Sequence, residues 1–226
     1  MLPFHRHLAR TGLEVLEPFG FVLAGGYAVS ANGMGDRMSQ DVDLFTNRQD
    51  AGDFARAASA LRDAYERDGL RVEVTRAGLT FLDLAVLDPR TGETSSVQLG
   101  LDYRAHEPAH LAIGPVLDAQ DAVANKTTAL YSRGETRDFI DVDVAVRSGR
   151  FTRGQVLALG DDREVEPMDR AIPTARFREI AGHSPEDFSL YGVSGAERER
   201  IVARFAAWAD EIDPRLSAQA RDAAVE

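Results

Sequence analysis

The stretch that most constrains this chain is residues 21–46, FVLAGGYAVSANGMGDRMSQDVDLFT. Apolar Phe21–Ala24 predicts a short strand that stops at Gly25-Gly26. Two glycines let a backbone come close to a bound group. Tyr27–Asn32 then reads as a short helix, ended by Gly33 and Gly35. Free N–H groups at a helix start favour phosphate oxygens. Next, DVDLFT alternates acid and apolar residues, so Asp41 and Asp43 share one strand face and Val42 and Leu44 the other. Two carboxylates at i and i+2 reach one divalent ion. Their hard oxygen donors suit Mg²⁺ bridging a nucleoside triphosphate. Gly-Gly or Asp-x-Asp alone arises easily by chance. A strand, Gly-Gly, a helix and Arg37-x-Ser39-x-Asp41-x-Asp43 in that order is far rarer.

The surrounding pattern predicts an α+β fold: a small mixed β-sheet core flanked by helices, then a helical C-terminal region. Leu8, Leu13, Leu16 and Phe19 lie at near-helical spacing in residues 4–19. Asp50-Ala-Gly-Asp53 resembles a capping pattern before a helix to about Arg67. Strands are expected at 70–76, 79–87 and 95–103, the last two joined by the turn Asp88-Pro-Arg-Thr-Gly92. Asp118 opens a helix to about Ser132, Gly134 breaks it, and a second helix runs from about Glu135 to Arg147. Thr152-x-x-Gln155, Ser184-Pro185 and Ser194-x-x-Glu197 mark further helix starts. Phe205 and Trp208 read as core, and the polar tail from about Pro214 as a fraying end. The expected division is an α/β core at 1–116 and a helical region at 117–226.

Composition excludes several classes. The chain has no cysteine, hence no disulfide framework, thiolate zinc site or thiol nucleophile. No run approaches the ~18 apolar residues of a membrane span, and Arg and Glu interrupt the first 18 residues where a signal segment needs an apolar run. A cytoplasmic protein is expected. With 37 acidic and 26 basic residues, a net charge of −11 argues against a chain-wide nucleic-acid surface, though not against a local one. Lys126 is the single lysine; the other 25 bases are arginine. His106 and His110 have helical metal spacing, but Pro108 between them disfavours the helix and no third ligand is evident. His5, His7 and His183 read as surface residues.

FVLAGGYAVSANGMGDRMSQDVDLFTN resembles the signature of the DNA polymerase β-like nucleotidyltransferase superfamily. More narrowly, GGYA followed by Arg-x-Ser-x-Asp-x-Asp-Leu-Phe is similar to the AbiEii/MenT group of nucleotidyltransferase toxins. That group pairs it with a later motif, K-x-x-A-L-x-x-R-x-x-x-R-D-F-x-D. Here the motif runs from Lys126 through Leu130, Arg133, Arg137, Asp138 and Phe139 to Asp141. The resemblance covers about residues 20–150. It implies that Gly25, Gly26 and Ser39 line a triphosphate pocket with Arg37 nearby, and that Asp41 and Asp43 hold Mg²⁺. It further implies that Lys126 reaches the nucleotide phosphates. Asp138 completes the site as a base or as an orienting group for Lys126, supported by Arg133, Arg137 and Asp141.

The superfamily often supplies a third carboxylate from a later strand. Gln98, Gly100 and Asp102 share a face of the 95–103 strand, which ranks Asp102 ahead of Asp83 as that ligand. Tyr27 is bulkier than the small residue common after Gly-Gly. The resemblance implies transfer of a nucleoside monophosphate from an NTP to a hydroxyl, at the 3′ end of tRNA in characterised branches, which blocks translation. It also implies an antitoxin encoded nearby. A monomer is expected. Arg133, Arg137, Arg147, Arg150 and Arg153 cluster around the second motif as candidate RNA phosphate contacts. A small-molecule nucleotidyltransferase, for instance one acting on an antibiotic, and a catalytically idle binding protein are the alternatives.

Overall fold

The computed structural model describes residues 1–213. The tail expected to fray from Pro214 lies outside them. The chain divides into two compact units, Met1–Ala122 and one beginning at Val123.

The first unit opens with helix α1 (Pro3–Leu16), whose N1 proline supplies a helical φ where no N–H partner is needed. Its buried residues, Phe4, His5, Leu8, Ala9, Gly12, Leu13 and Leu16, follow helical spacing and form one stripe. A 3₁₀ turn at Glu17–Phe19 ends at Gly20, in the left-handed region at φ 71°. Then come β1 (Val22–Leu23), α2 (Gly25–Ala31) and β2 (Asp41–Thr46). Helix α3 (Ala51–Arg67) starts where the Asp50 carboxylate accepts the Asp53 N–H, as the capping pattern predicts. Strands β3 (Arg71–Ala77), β4 (Phe81–Leu87) and β5 (Thr94–Leu101) follow. The turn between β4 and β5 is fixed by the Asp88 carboxylate, which accepts the Arg90 N–H at 2.8 Å.

Two further strands, β6 (Ala109–Leu111) and β7 (Gly114–Val116), were not expected from the sequence. Each has three residues, and Gly114 and Pro115 give β7 the chemistry of a turn. The seven strands form one mixed sheet in the order β3-β4-β5-β2-β1-β7-β6. β2 runs parallel to β5 and antiparallel to β1, so the strand bearing Asp41 and Asp43 is central. Leu44 points towards α1 and α3. Gly12 lacks a side chain where Leu44, Leu61 and the Tyr65 hydroxyl converge, and that hydroxyl donates to the Leu8 carbonyl at 2.9 Å. Side-chain alternation therefore turns Asp41 and Asp43 to the opposite sheet face.

Helix α4 (Ala119–Ser132) leads into the second unit and ends before Gly134, at φ 63°. That unit holds α5 (Thr136–Arg147), α6 (Arg153–Asp161), α7 (Ala171–Glu179), α8 (Pro185–Ser189) and α9 (Gly195–Ile212). Capping boxes at Thr152/Gln155 and Ser184/Asp187 open α6 and α8. Phe139, Phe177, Phe205 and Trp208 form an aromatic core, with the first three rings meeting edge to face at centroid distances of 5.0 Å.

Candidate active site

Gly25 adopts φ 58°, a conformation that side chains disfavour. The space its side chain would need is filled by the Asp43 carboxylate. Gly26 has the same relation to the Arg37 guanidinium, which would collide with a Cβ there. The glycine pair therefore does more than turn the chain. It lets one carboxylate and one guanidinium press against the start of α2.

Asp43 is 9% exposed and Asp41 is half-buried. The Asp43 carbonyl accepts the Ala24 N–H at 2.9 Å, which ties the acid-bearing strand to the residue before Gly25. Ser39, 2% exposed, donates its hydroxyl to Asp41 Oδ1 at 2.9 Å. Arg37 donates to the Met38 carbonyl at 2.9 Å. Unit one thus gathers Gly25, Gly26, Arg37, Ser39, Asp41 and Asp43 around one strand–helix junction. Two strand carboxylates facing the same way, beside a glycine backbone, are a donor set that suits a hard divalent cation.

Tyr27 turns away from this junction. It is 3% exposed, and its hydroxyl meets His5 Nδ1 at 2.6 Å and donates to the Ser39 carbonyl at 3.4 Å. His5 is 4% exposed, which corrects its expected surface position. The signal was available: His5 lies on the stripe of Leu8, Ala9 and Leu16. Burial lowers the His5 imidazole below its ordinary value, partly offset by the Asp41 charge. Burial likewise raises the Tyr27 phenol. The chain His5–Tyr27–Ser39–Asp41 connects α1 to the acid-bearing strand.

The third carboxylate expected from the sequence does not join Asp41 and Asp43. Register pairs Asp43 with Gln98, and Gln98 with Asp83 on its other side. Asp102 lies four residues beyond Gln98, roughly 13 Å along the strand direction at ~3.3 Å per residue. Its N–H donates to the Thr46 carbonyl, at the far end of β2 from Asp41. Asp83 shares the row but sits two strands from Asp43, roughly 10 Å away at ~4.8 Å per strand. Arg76 holds its carboxylate at 2.6 Å. The sequence identifies the shared face correctly; the register that separates these residues is set by strand pairing and is not legible in it.

In unit two, Lys126 is 7% exposed. Its Nζ lies 2.9 Å from Asp141 Oδ2 and 3.8 Å from Asp138 Oδ1. Asp138 accepts two hydrogen bonds from Arg133, from Nε at 2.9 Å and from Nη2 at 3.0 Å. The break at Gly134 folds α5 back so that these groups meet. Asp141, expected only in support, is the nearer partner of the lysine. Arg137 pairs with Glu135 at 2.9 Å. Two fully buried acids and two cations form a balanced cluster that holds the ammonium in place. Its geometry favours an orienting role for Asp138, both of whose oxygens Arg133 engages.

Most of the arginines expected to contact RNA are committed elsewhere. Arg147 pairs with Glu197 at 3.0 Å and Arg153 with Glu211, alongside the pairings of Arg133 and Arg137. Among the histidines, His183 receives or donates a 2.7 Å hydrogen bond with Thr136 and packs edge-on against Phe139, so it too is more than a surface residue. His106 meets Asp121 and Asp118 rather than His110, with candidate ligand atoms within 4.8 Å of one another. Spacing in the sequence does not reveal this group, because Asp121 lies on α4 and His106 in the loop before it. Asp121 already accepts the Ala105 and His106 N–H groups, each at 2.9 Å, and so anchors the preceding loop.

A family model described as the nucleotidyl transferase AbiEii toxin of a type IV toxin–antitoxin system matches residues 14–226. No curated protein matches the chain. Among solved structures, MenT4, a nucleotidyltransferase toxin from Mycobacterium tuberculosis, superposes with a TM-score of 0.64 at 20% identity, over 93% of this chain and 84% of that one. The JHP933 protein from Helicobacter pylori gives 0.57 at 15% identity, over 98% and 96% of the two chains. A putative nucleotidyltransferase from the same organism gives 0.58 at 15%, over 96% of each. These likenesses establish the fold, and the described residues include no helix long and apolar enough to cross a membrane.

Proposed function

Since the chain belongs to the AbiEii nucleotidyltransferase toxin family, we propose that it transfers a nucleoside monophosphate from an NTP to an RNA hydroxyl, at the 3′ end of tRNA, and thereby blocks translation. The observation that carries this reading is the placement of Asp41 and Asp43 on one strand face, with the Asp43 carboxylate pressed against Gly25. In this reading the acceptor oxygen forms a bond to the α-phosphorus, the bond to the bridging oxygen breaks, pyrophosphate leaves, and the hydroxyl proton passes to solvent. Asp41 and Asp43 would hold Mg²⁺, which supplies charge neutralisation on the phosphates and a lower hydroxyl pKa when bound.

The protein's own groups have distinct tasks. Ser39 fixes the orientation of Asp41 through its 2.9 Å hydrogen bond. Gly25 and Gly26 bring backbone close to the phosphates, and Arg37 offsets their charge. Lys126 serves the phosphates as a compact ammonium, held by Asp141 and Asp138. Arg133 and Asp141 keep that group in place, and Arg137 holds Glu135 at the start of α5. The enzyme acts as a monomer in the cytoplasm, and an antitoxin encoded nearby restrains it.

Incubation with each α-labelled NTP, Mg²⁺ and total RNA tests the proposal. Wild type is expected to label a tRNA-sized species and Asp41→Ala to leave it unlabelled. Label on an aminoglycoside and none on RNA would transfer the reading to a small-molecule acceptor; no transfer to either would overturn it.

A further inference from the structure

We propose that Arg6 and Arg10 on α1 form the docking site for the phosphate backbone of the acceptor RNA. The proposal rests on the RNA reading above and adds where the polymer is held. A chain of net charge −11 repels a polyanion overall, so any attraction is local. Four of the five arginines near the second motif spend their charge on their own acids: Arg133 on Asp138, Arg137 on Glu135, Arg147 on Glu197 and Arg153 on Glu211. Arg6 and Arg10 differ. They lie one helical turn apart, both exposed, and neither side chain has an ion pair or hydrogen bond among the described residues.

The two guanidinium groups line a cavity of about 500 Å³. That volume lies within the ~300–1,000 Å³ usual for small-ligand sites, and accommodates one nucleotide. Leu23, Tyr27 and Ile113 supply apolar wall, and Ser30 a hydroxyl. Asp36 is the one carboxylate on the wall, opposed by two guanidinium charges. A planar base against the apolar wall with its phosphate on the arginines matches this distribution, because guanidinium forks pair well with phosphate oxygens.

The position of the cavity distinguishes it from the reacting centre. Leu23 pairs with Leu44, whose side chain faces α1, whereas Asp41 and Asp43 face the other side of the sheet. The cavity therefore takes a nucleotide away from the acceptor end and does not seat the reacting hydroxyl. Tyr27 joins the two places: it lines the cavity and donates to the Ser39 carbonyl.

Binding of total tRNA, measured by fluorescence anisotropy over 50–300 mM KCl, tests the assignment with wild type, the Arg6→Glu/Arg10→Glu variant and an Arg62→Glu/Arg71→Glu control. In the first variant affinity at 100 mM salt is expected to fall by about tenfold or more, and the slope of log K against log salt to shrink by about 1.4–1.8, for two phosphates at ~0.7–0.9 each. ATP binding by both variants and tRNA binding by the control should match wild type, and a thermal melt should show all folded. An unchanged slope in the Arg6/Arg10 variant, with wild type binding and labelling RNA, would overturn this site alone. An equal loss in the control would also overturn it, as a general charge effect. If wild type neither binds nor labels RNA, the underlying reading fails.

Discussion

Asp41 and Asp43 are placed by backbone, whereas Asp138 and Asp141 are placed by charge. The first pair follows strand alternation, with a left-handed glycine making room for one carboxylate. The second pair is fully buried and is balanced by Lys126 and Arg133. Backbone placement survives the loss of a side chain, because the strand remains. Charge placement does not, because each removed group leaves an uncompensated partner inside the protein. Acids that look alike in sequence should therefore respond differently to substitution: loss of chemistry in the first unit, loss of stability in the second.

The largest effect is expected at Gly25. Alanine there carries the left-handed penalty of ~1–2 kcal/mol and collides with the Asp43 carboxylate. Transfer should fall by more than about 100-fold, ΔΔG‡ near 2.7 kcal/mol, in a single-turnover NTP assay; near-normal transfer would show that the glycine backbone does not shape the site.

Next, Asp141→Ala should destabilise the protein by about 3–5 kcal/mol in urea unfolding, since it strips Lys126 of its nearer partner. Asp41→Ala should change stability by under about 1 kcal/mol. Equal destabilisation would erase the contrast drawn between the two pairs. Lys126→Arg sharpens the same contrast: it keeps the charge while replacing a compact ammonium with a planar fork. It should fold and lose most transfer activity, read as kcat with Tm measured alongside.

The smallest effect concerns pH. Burial lowers the His5 imidazole in the folded protein from its ordinary 6.5. Below about pH 6.5 the unfolded chain takes up a proton that the folded chain resists, so this residue's stability is complete above that pH and declines as pH falls through it. His5→Asn, which can still meet Tyr27, should flatten that part of the profile in unfolding titrations from pH 7.5 to 5. An unaltered slope would place the acid sensitivity elsewhere.

The contrast also explains what the sequence made legible. Strand β2 is read to the residue, because DVDLFT alternates in a period only a strand satisfies. The caps at Asp50, Thr152, Ser184 and Ser194 are legible for a similar local reason. Strands β6 and β7 are not, since three residues with Gly114 and Pro115 carry no period. Asp102 shows the limit of face arguments: alternation gives the side of the sheet and says nothing of register. The prominence of Asp141 beside Lys126 depends on how α5 folds back after Gly134, which spacing alone leaves open. His5 was legible in its stripe, but a polar ring on an apolar face needs a partner, and Tyr27 is 22 residues away.

Pyrophosphate release and thermal unfolding, measured on one preparation of Asp41→Ala beside wild type, test the central claim most directly. The expected result is loss of NTP-dependent, RNA-stimulated pyrophosphate release with an essentially unchanged Tm. Release at the wild-type rate from that folded variant would contradict the assignment of the chemistry to the Asp41–Asp43 strand.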